Sequence, residues 1–178
     1  MLKRTAALLA SAFAFAGPAV IELDFVPEAN AAACTITGTA VADVLVGTPQ
    51  SDVICGLGGA DVIRGLGGND LVRGGTGNDR IKGGLGDDRV YGGPGNDVIE
   101  GERGNDVLRG ELGRDRLLGS YGGDRLFGGV HRDGLFGGPA RDLLYARDGY
   151  RDRVEGGPGR DCARVDRADR LRSVHELF

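Results

Sequence analysis

Residues 74–100 read GGTGNDRIK-GGLGDDRVY-GGPGNDVIE, three consecutive segments of nine residues that share one pattern. The same register extends outward to Gly38 and to Tyr145, which makes twelve rows of nine residues. In every row the first residue is Gly, the sixth is Asp and the eighth is Leu, Ile or Val. A disordered low-complexity chain does not hold an aliphatic residue at every ninth place, so the periodicity predicts an ordered repeat protein.

Each fixed column of the repeat has a physical role. Glycine at the first position, and often at the second and fourth, permits the backbone angles that a tight turn requires. The last three residues of a row are often β-branched and suit a short strand. Because side chains alternate across a strand, the eighth residue points inward and its two neighbours point outward. Each row therefore predicts one turn and one short strand.

The thin hydrophobic column decides the fold class. One row cannot bury its single aliphatic side chain alone, so two rows must face each other in a coil of about 18 residues. Stacked coils pair their strands in parallel, roughly 4.8 Å apart. A composition with 34 Gly and no Trp among 178 residues agrees with such a thin core. The sequence predicts an all-β protein, a parallel β-roll of nine-residue repeats.

The aspartates are predicted to stack in two columns. Rows alternate sides, so each turn lies against the turn two rows later, and 19 Asp against 7 Glu favours turns and metal ligation over helices. Stacked carboxylates repel each other, whereas a hard divalent cation between successive turns converts that repulsion into binding. The predicted columns are Asp52, Asp70, Asp88, Asp106 and Asp124 on one side, and Asp61, Asp79, Asp97, Asp115 and Asp133 on the other.

The rows at 74, 83 and 92 resemble the nonapeptide G-G-x-G-x-D-x-U-x of the repeats-in-toxin (RTX) calcium-binding family. The resemblance covers residues 38–145 and implies a parallel β-roll that holds Ca²⁺ between stacked turns. Carried over by position, the implied ligands are the carboxylates of Asp52, Asp61, Asp70, Asp79, Asp88, Asp97, Asp106, Asp115 and Asp124, and turn carbonyls of Gly75, Gly77, Gly84, Gly86, Gly93 and Gly95.

Both ends of the repeat array depart from the family pattern. The rows at Gly38 and Gly47 lack the fourth-position glycine, and His131 and Ala140 replace it near the other end. Arginine precedes the aspartate at positions 114, 132 and 141. Such an arginine either opposes a cation or neutralises the aspartate in its place, and both alternatives stay open for Asp133 and Asp142.

Residues 1–33 have the pattern of a secretion signal. Lys3 and Arg4 precede an apolar stretch, and alanines at 31–33 provide a cleavage site before Cys34, with cleavage after Ala31 as an alternative. The apolar stretch is shorter than the roughly 20 residues of a membrane span and contains Pro18, so no span is expected in the mature chain. We therefore expect a secreted, extracellular protein with the β-roll at 34–145, and degenerate repeats and a C-terminal cap at 146–178.

The three cysteines fit an oxidising compartment. If the register extends backward, the rows of Cys34 and Cys55 stack on the same side of the roll, which favours a disulfide between them. Cys162 is too far away, because six coils at strand spacing separate it by roughly 29 Å. Bridged Cα atoms lie within about 7 Å of each other. Cys162 is expected to be free or to pair between molecules.

The sequence offers no catalytic arrangement. His131 and His175 have no nucleophile in reach, no phosphate-binding GK[ST] motif occurs, and no basic run indicates a nucleic-acid partner. We therefore expect a non-enzymatic calcium-binding protein, structural or surface-associated, that folds on Ca²⁺. One alternative is a calcium-dependent module that binds cell-surface polysaccharide through Tyr91, Phe127, Phe136 and Tyr145. Another is a carrier or accessory module of a secreted toxin or enzyme, against which the N-terminal signal argues.

Overall fold

The structure, a computed structural model, describes residues 33–178. The predicted secretion signal at 1–33 lies outside this part of the chain except for Ala33. The described residues form seventeen strands and contain no helix. Nowhere between residues 33 and 178 is there a helical segment with the length and apolarity that crossing a bilayer requires.

The strands form two parallel sheets, because successive rows alternate between the two sides of the roll. Every pairing is parallel, and in the regular part each residue pairs with the residue 18 positions later, such as Ile81 with Ile99. The first sheet contains β1 (Ile36–Thr37), β3 (Val53–Cys55), β5 (Leu71–Arg73), β7 (Arg89–Pro94), β9 (Val107–Leu112), β11 (Arg125–Val130), β13 (Leu143–Ala146), β15 (Cys162–Val165) and β17 (Glu176–Leu177). The second contains β2 (Val44–Val46), β4 (Val62–Gly67), β6 (Arg80–Leu85), β8 (Val98–Arg103), β10 (Arg116–Tyr121), β12 (Gly134–Phe136), β14 (Arg153–Glu155) and β16 (Arg170–Arg172). The predicted parallel β-roll is confirmed.

The core consists of two facing columns of eighth-position side chains. From Ile54 to Leu144 each of these side chains is at most 1% exposed. The column continues with Val154 and Ala163, whereas Leu45 and Ile36 at the N-terminal end are only partly buried. The prediction of one inward aliphatic side chain per row is confirmed.

The strands are longer than the sequence pattern predicts. In the middle of the roll, strands such as β8 and β9 have six residues instead of three. The backbone of the next row's first residues continues the pairing, as between Gly84 and Glu102. The turn therefore occupies only the fourth to sixth positions of these rows, and most of the circumference of the roll is hydrogen-bonded.

Residues 146–178 prolong both sheets. The residue inserted at Ala146 is buried in β13, and the pairing interval changes there from 18 to 19 residues, as between Leu144 and Ala163. Strands β14 to β17 then extend the roll to Leu177. The segment expected to hold degenerate repeats and a cap thus builds further coils.

The disulfide prediction is confirmed, since Cys34 and Cys55 are bonded with their Cα atoms 6.0 Å apart. Cys162 is the free cysteine of the described chain. The pattern places it at an outward position, yet its side chain is buried. Arg141 Nη2 and Glu176 Oε2 lie 3.9 and 3.7 Å from its sulfur, which explains how a surface position becomes covered.

Candidate metal centre

Sixth-position aspartates form two buried columns, one along each edge of the roll. From Asp61 to Asp161 each is at most 4% exposed. The backbone N–H of one aspartate donates to Oδ1 of the aspartate in the next coil, at 2.8 Å for Asp70 to Asp88 and for Asp88 to Asp106. This ladder fixes the orientation of every carboxylate, and the predicted stacking order is confirmed.

The second carboxylate oxygen of most column aspartates has no hydrogen-bond partner. Oδ2 is buried and accepts no hydrogen bond in twelve consecutive rows, an unfavourable arrangement for a group that carries charge. The rows concerned are those of Asp61, Asp70, Asp79, Asp88, Asp97, Asp106, Asp115, Asp124, Asp133, Asp142, Asp152 and Asp161.

Because the first-position residue is glycine and has no Cβ, Oδ2 of the aspartate in the same row can lie close to its backbone. A Cβ on Gly92 would collide with Oδ2 of Asp97 and would lie 2.9 Å from the carbonyl oxygen of Gly110. The same two kinds of oxygen surround the first glycine in every row from Gly56 to Gly119. The missing Cβ therefore lets a buried carboxylate oxygen and a backbone carbonyl of the next coil lie close to the same glycine.

The six glycines predicted as carbonyl ligands all have positive φ, whether they lie in a turn or at the end of a strand. Gly75, Gly84 and Gly93 at the second position have φ of 104–120°, and Gly77, Gly86 and Gly95 at the fourth have φ of 118–155°. At Gly95 a Cβ would collide with the carbonyl oxygen of Gly77 in the preceding coil. The fourth-position carbonyls thus point along the roll axis, toward the next turn.

Burial raises the pKa of the column aspartates from Asp70 to Asp152. The pKa rises to about 7 for Asp88 and Asp106, first because burial disfavours the charged form and then because neighbouring carboxylates repel it. The hydrogen bond from the preceding Asp backbone opposes this rise. The same causes raise the pKa to about 7 in Asp115, Asp133 and Asp152, and to about 6 in Asp97, Asp124 and Asp142.

The donor set of the turns fits calcium. A hard cation that takes six to eight oxygens in flexible geometry suits carboxylates combined with backbone carbonyls. Each interval between stacked turns has the carboxylates of two column aspartates and the carbonyls of first- and fourth-position residues. Among residues 33–178 no three His, Cys, Asp or Glu side chains converge into a metal cluster.

The two N-terminal rows satisfy their carboxylates without metal. Oδ2 of Asp43 accepts hydrogen bonds from N and Oγ1 of Thr39, at 2.6 and 2.8 Å. Thr48 does the same for Asp52, at 2.7 and 2.8 Å, and this hydrogen bonding lowers the pKa of Asp52. Asp52, predicted as a ligand from its position, therefore differs from the aspartates that follow it.

The C-terminal rows have the same carboxylate geometry as the middle of the roll, although arginine precedes Asp133 and Asp142. Oδ2 of Asp133 and Asp142 has no hydrogen-bond partner, and no arginine within residues 33–178 forms an ion pair with either residue. His131 and Ala140 adopt φ of 97° and 102°, so the turn persists without glycine. Asp152 and Asp161 share this arrangement. Each occupies the sixth position of a nine-residue row once the one-residue insertion after Tyr145 is allowed for.

The proposed aromatic platform is divided between the two sheets. Tyr91, Phe127 and Tyr145 lie in the first sheet, whereas Phe136 lies in the second. Phe127 stacks on Tyr145 with ring centroids 4.5 Å apart, and Arg109 lies 4.4 Å from the centroid of Phe127. Phe178 packs edge-on against Tyr145. The four rings therefore do not share one platform, because Phe136 lies on the other sheet and, among the four, Phe127 and Tyr145 stack on each other.

The comparison with known protein families agrees with this geometry. The RTX calcium-binding nonapeptide repeat matches in four copies, at residues 37–72, 64–99, 73–108 and 109–144. These copies together extend over residues 37–144, more than half of the chain. No curated protein has a sequence that matches this chain.

Proposed function

The chain belongs to the family of proteins with the RTX calcium-binding nonapeptide repeat, and we propose that it folds by binding calcium ions between stacked turns. One observation carries this proposal: buried carboxylate oxygens without hydrogen-bond partners lie in two continuous columns. Column aspartates from Asp61 onward, with the carbonyls of the turn glycines, are the residues that hold the ions. Bound calcium supplies positive charge that compensates the buried carboxylates.

The balance of interactions supports folding that depends on metal. Each row buries a single aliphatic side chain, while it also buries one carboxylate that only a hydrogen bond from the backbone stabilises. A ligand that binds only the folded state stabilises it by mass action. Extracellular calcium-binding modules typically bind the ion at about 10⁻⁴–10⁻³ M.

We further propose that the protein is exported and has a non-catalytic, structural or surface-associated role. The signal-like pattern of residues 1–33 and a disulfide in the first coils of the roll both suit an oxidising compartment. Mass spectrometry of exported material tests export directly. A mature N-terminus at Ala32 or Cys34 supports it, and a folded product that retains Lys3 and Arg4 contradicts it.

Isothermal titration of the purified mature chain with Ca²⁺ tests the metal proposal, with Mg²⁺ as a control of equal charge. We expect several Ca²⁺ per chain and weak or no Mg²⁺ binding, because Mg²⁺ demands a near-ideal octahedron and keeps its waters. Equal binding of both ions, or none of either, would show that the buried carboxylates are not calcium ligands.

A further inference from the structure

An arginine-lined groove lies on the second sheet near the C-terminal end of the roll. It encloses about 410 Å³ and is lined by six exposed arginines. Three of them directly precede column aspartates, and the other three begin β10, β14 and β16. The six are Arg114, Arg116, Arg132, Arg151, Arg153 and Arg170.

The register of the second sheet aligns these arginines. Arg116 pairs with Gly134 of β12, Gly134 with Arg153, and Arg153 with Arg170. The arginines of the turns follow the same order along the roll. The groove therefore presents guanidinium groups on successive rungs, which are spaced by roughly 4.8 Å.

Phe136 orders the centre of the groove. Its ring centroid lies 4.4 Å from Cζ of Arg116 and 5.1 Å from Cζ of Arg153. Gly134 makes room for the ring, since a Cβ there would lie 3.1 Å from Cε2 of Phe136. Guanidinium groups stacked on an aromatic ring lose less conformational entropy when they bind an anion.

Most of this charge is not neutralised inside the chain. Of the six arginines only Arg153 forms an ion pair within residues 33–178, with Glu155 at 3.1 Å. The aspartates beneath the groove are buried and do not pair with them. A protein of net charge −4 thus has a local, ordered excess of positive charge.

From this arrangement we propose that the groove binds an acidic polysaccharide, with the guanidinium groups pairing its carboxylate or sulfate groups. The planar guanidinium matches both oxyanions through two parallel hydrogen bonds. The proposal needs the folded roll, but it assigns no metal ion to the groove and is thus separate from the calcium function.

The groove favours a polysaccharide over a nucleic acid. Proteins that bind single-stranded nucleic acids stack bases on aromatic rings with free faces. The one ring in the groove, Phe136, already lies between Arg116 and Arg153.

The chain itself suggests the test variant. Asn occupies the position before the aspartate at 69, 78, 96 and 105, so the triple variant R114N/R132N/R151N converts three turns to a residue the roll already accepts. The control R64Q/R89Q/R125Q removes the same charge from exposed arginines outside the groove. Circular dichroism in saturating calcium verifies that both variants fold.

Binding to immobilised heparin and hyaluronan is then measured in calcium and physiological salt, with neutral dextran and single-stranded DNA as further arms. Heparin carries sulfate and carboxylate groups, and hyaluronan carries carboxylate alone, so the two separate the anions. We expect the groove variant to lose about tenfold in affinity for at least one of them, as three exposed ion pairs predict. The control should change less than about twofold.

Three results overturn the proposal. The first is that the wild-type protein binds neither acidic polysaccharide. The second is an equal loss of affinity in both triple variants, which would show that binding depends on net charge alone. The third is DNA binding at least as tight as polysaccharide binding and lost in the groove variant. Calcium titration of the same samples shows separately whether the calcium proposal holds.

Discussion

The two carboxylate oxygens of Asp88 have different surroundings, and a single substitution can distinguish them. Its Oδ1 accepts the backbone N–H of Asp70, and its Oδ2 is buried without a partner. Replacement by asparagine keeps an Oδ1 acceptor but removes the charge. We therefore expect D88N to raise the calcium midpoint of folding by roughly 3- to 10-fold, because one charged ligand is lost from two neighbouring intervals. Calcium titration followed by circular dichroism measures this shift.

Asp43 provides the matched control for that substitution. Its Oδ2 is already hydrogen-bonded to Thr39, at the N-terminal end of the roll. D43N should change the calcium midpoint by less than about twofold, since this carboxylate is satisfied within the chain. Equal shifts in the two variants would contradict the distinction between these rows.

The added Cβ of an alanine at a first-position glycine tests whether the space beside the column aspartate is needed for calcium binding. Neither Gly92 nor Gly67 has positive φ, so alanine tests space rather than backbone conformation. A Cβ at Gly92 meets Asp97 Oδ2 and the carbonyl of Gly110, whereas at Gly67 the nearest atom is 3.8 Å away. G92A should reduce the number of calcium ions bound, as counted by titration calorimetry, and G67A should leave it unchanged. A full calcium count in G92A would place the ions elsewhere.

At the scale of elements, the alternation of strands followed directly from the repeat. The eighth-position aliphatic column and the row register determined both sheets, their order and the disulfide partner of Cys55. The extent of the strands was not predictable, because residues 101–103 have no β pattern, although Glu102 and Arg103 pair with Ser120 and Tyr121 of the next strand in the sheet. The hydrogen bonds of Thr48 were likewise missed, although Thr39 and Thr48 both occupy the second position of their rows, where later rows have no threonine.

The coils after Ala146 were only partly predictable. The insertion hides the register, and the pairing interval falls to 17 residues between β14 and β16. Buried Asp152 and Asp161 nevertheless continue the two columns. Tertiary stacking on the preceding coil, rather than local sequence, therefore defines this end of the roll.

Cys162 reports on the folding of that end. Its thiol is buried beneath Arg141 and Glu176 in the folded chain. Alkylation should be slow in saturating calcium and at least about tenfold faster in excess chelator, because labelling then follows the population of the open state. Mass spectrometry of labelled peptides measures both rates. Rapid labelling in calcium would show that the C-terminal coils do not close over the thiol.

For the whole molecule, the raised aspartate pKa values predict opposite effects of pH with and without calcium. Carboxyls such as Asp88 and Asp106 have a pKa of about 7 in the roll, against 3.8 when unperturbed. Between these values the folded chain binds more protons than the unfolded chain. The stability of the metal-free roll therefore falls as pH rises from about 4 to 7. Below the unperturbed value both states are protonated and the effect ends.

Protons compete with calcium for the same carboxylates. The metal-free chain should thus gain β-structure as pH falls from 8 to 5, while the calcium midpoint rises by about tenfold or more between pH 7.5 and 6. Circular dichroism at each pH, with chelator and with calcium, measures both trends. A calcium midpoint independent of pH across this range would be inconsistent with buried, proton-binding ligands.

The claim that calcium compensates the two carboxylate columns is tested most directly by circular dichroism of the mature chain during a calcium titration at pH 8. In excess chelator we expect little β signal, followed by a cooperative gain between about 10⁻⁴ and 10⁻³ M Ca²⁺. Magnesium at the same concentrations should not reproduce it. A full β signal in chelator, unchanged by calcium, would show that the roll is stable without metal.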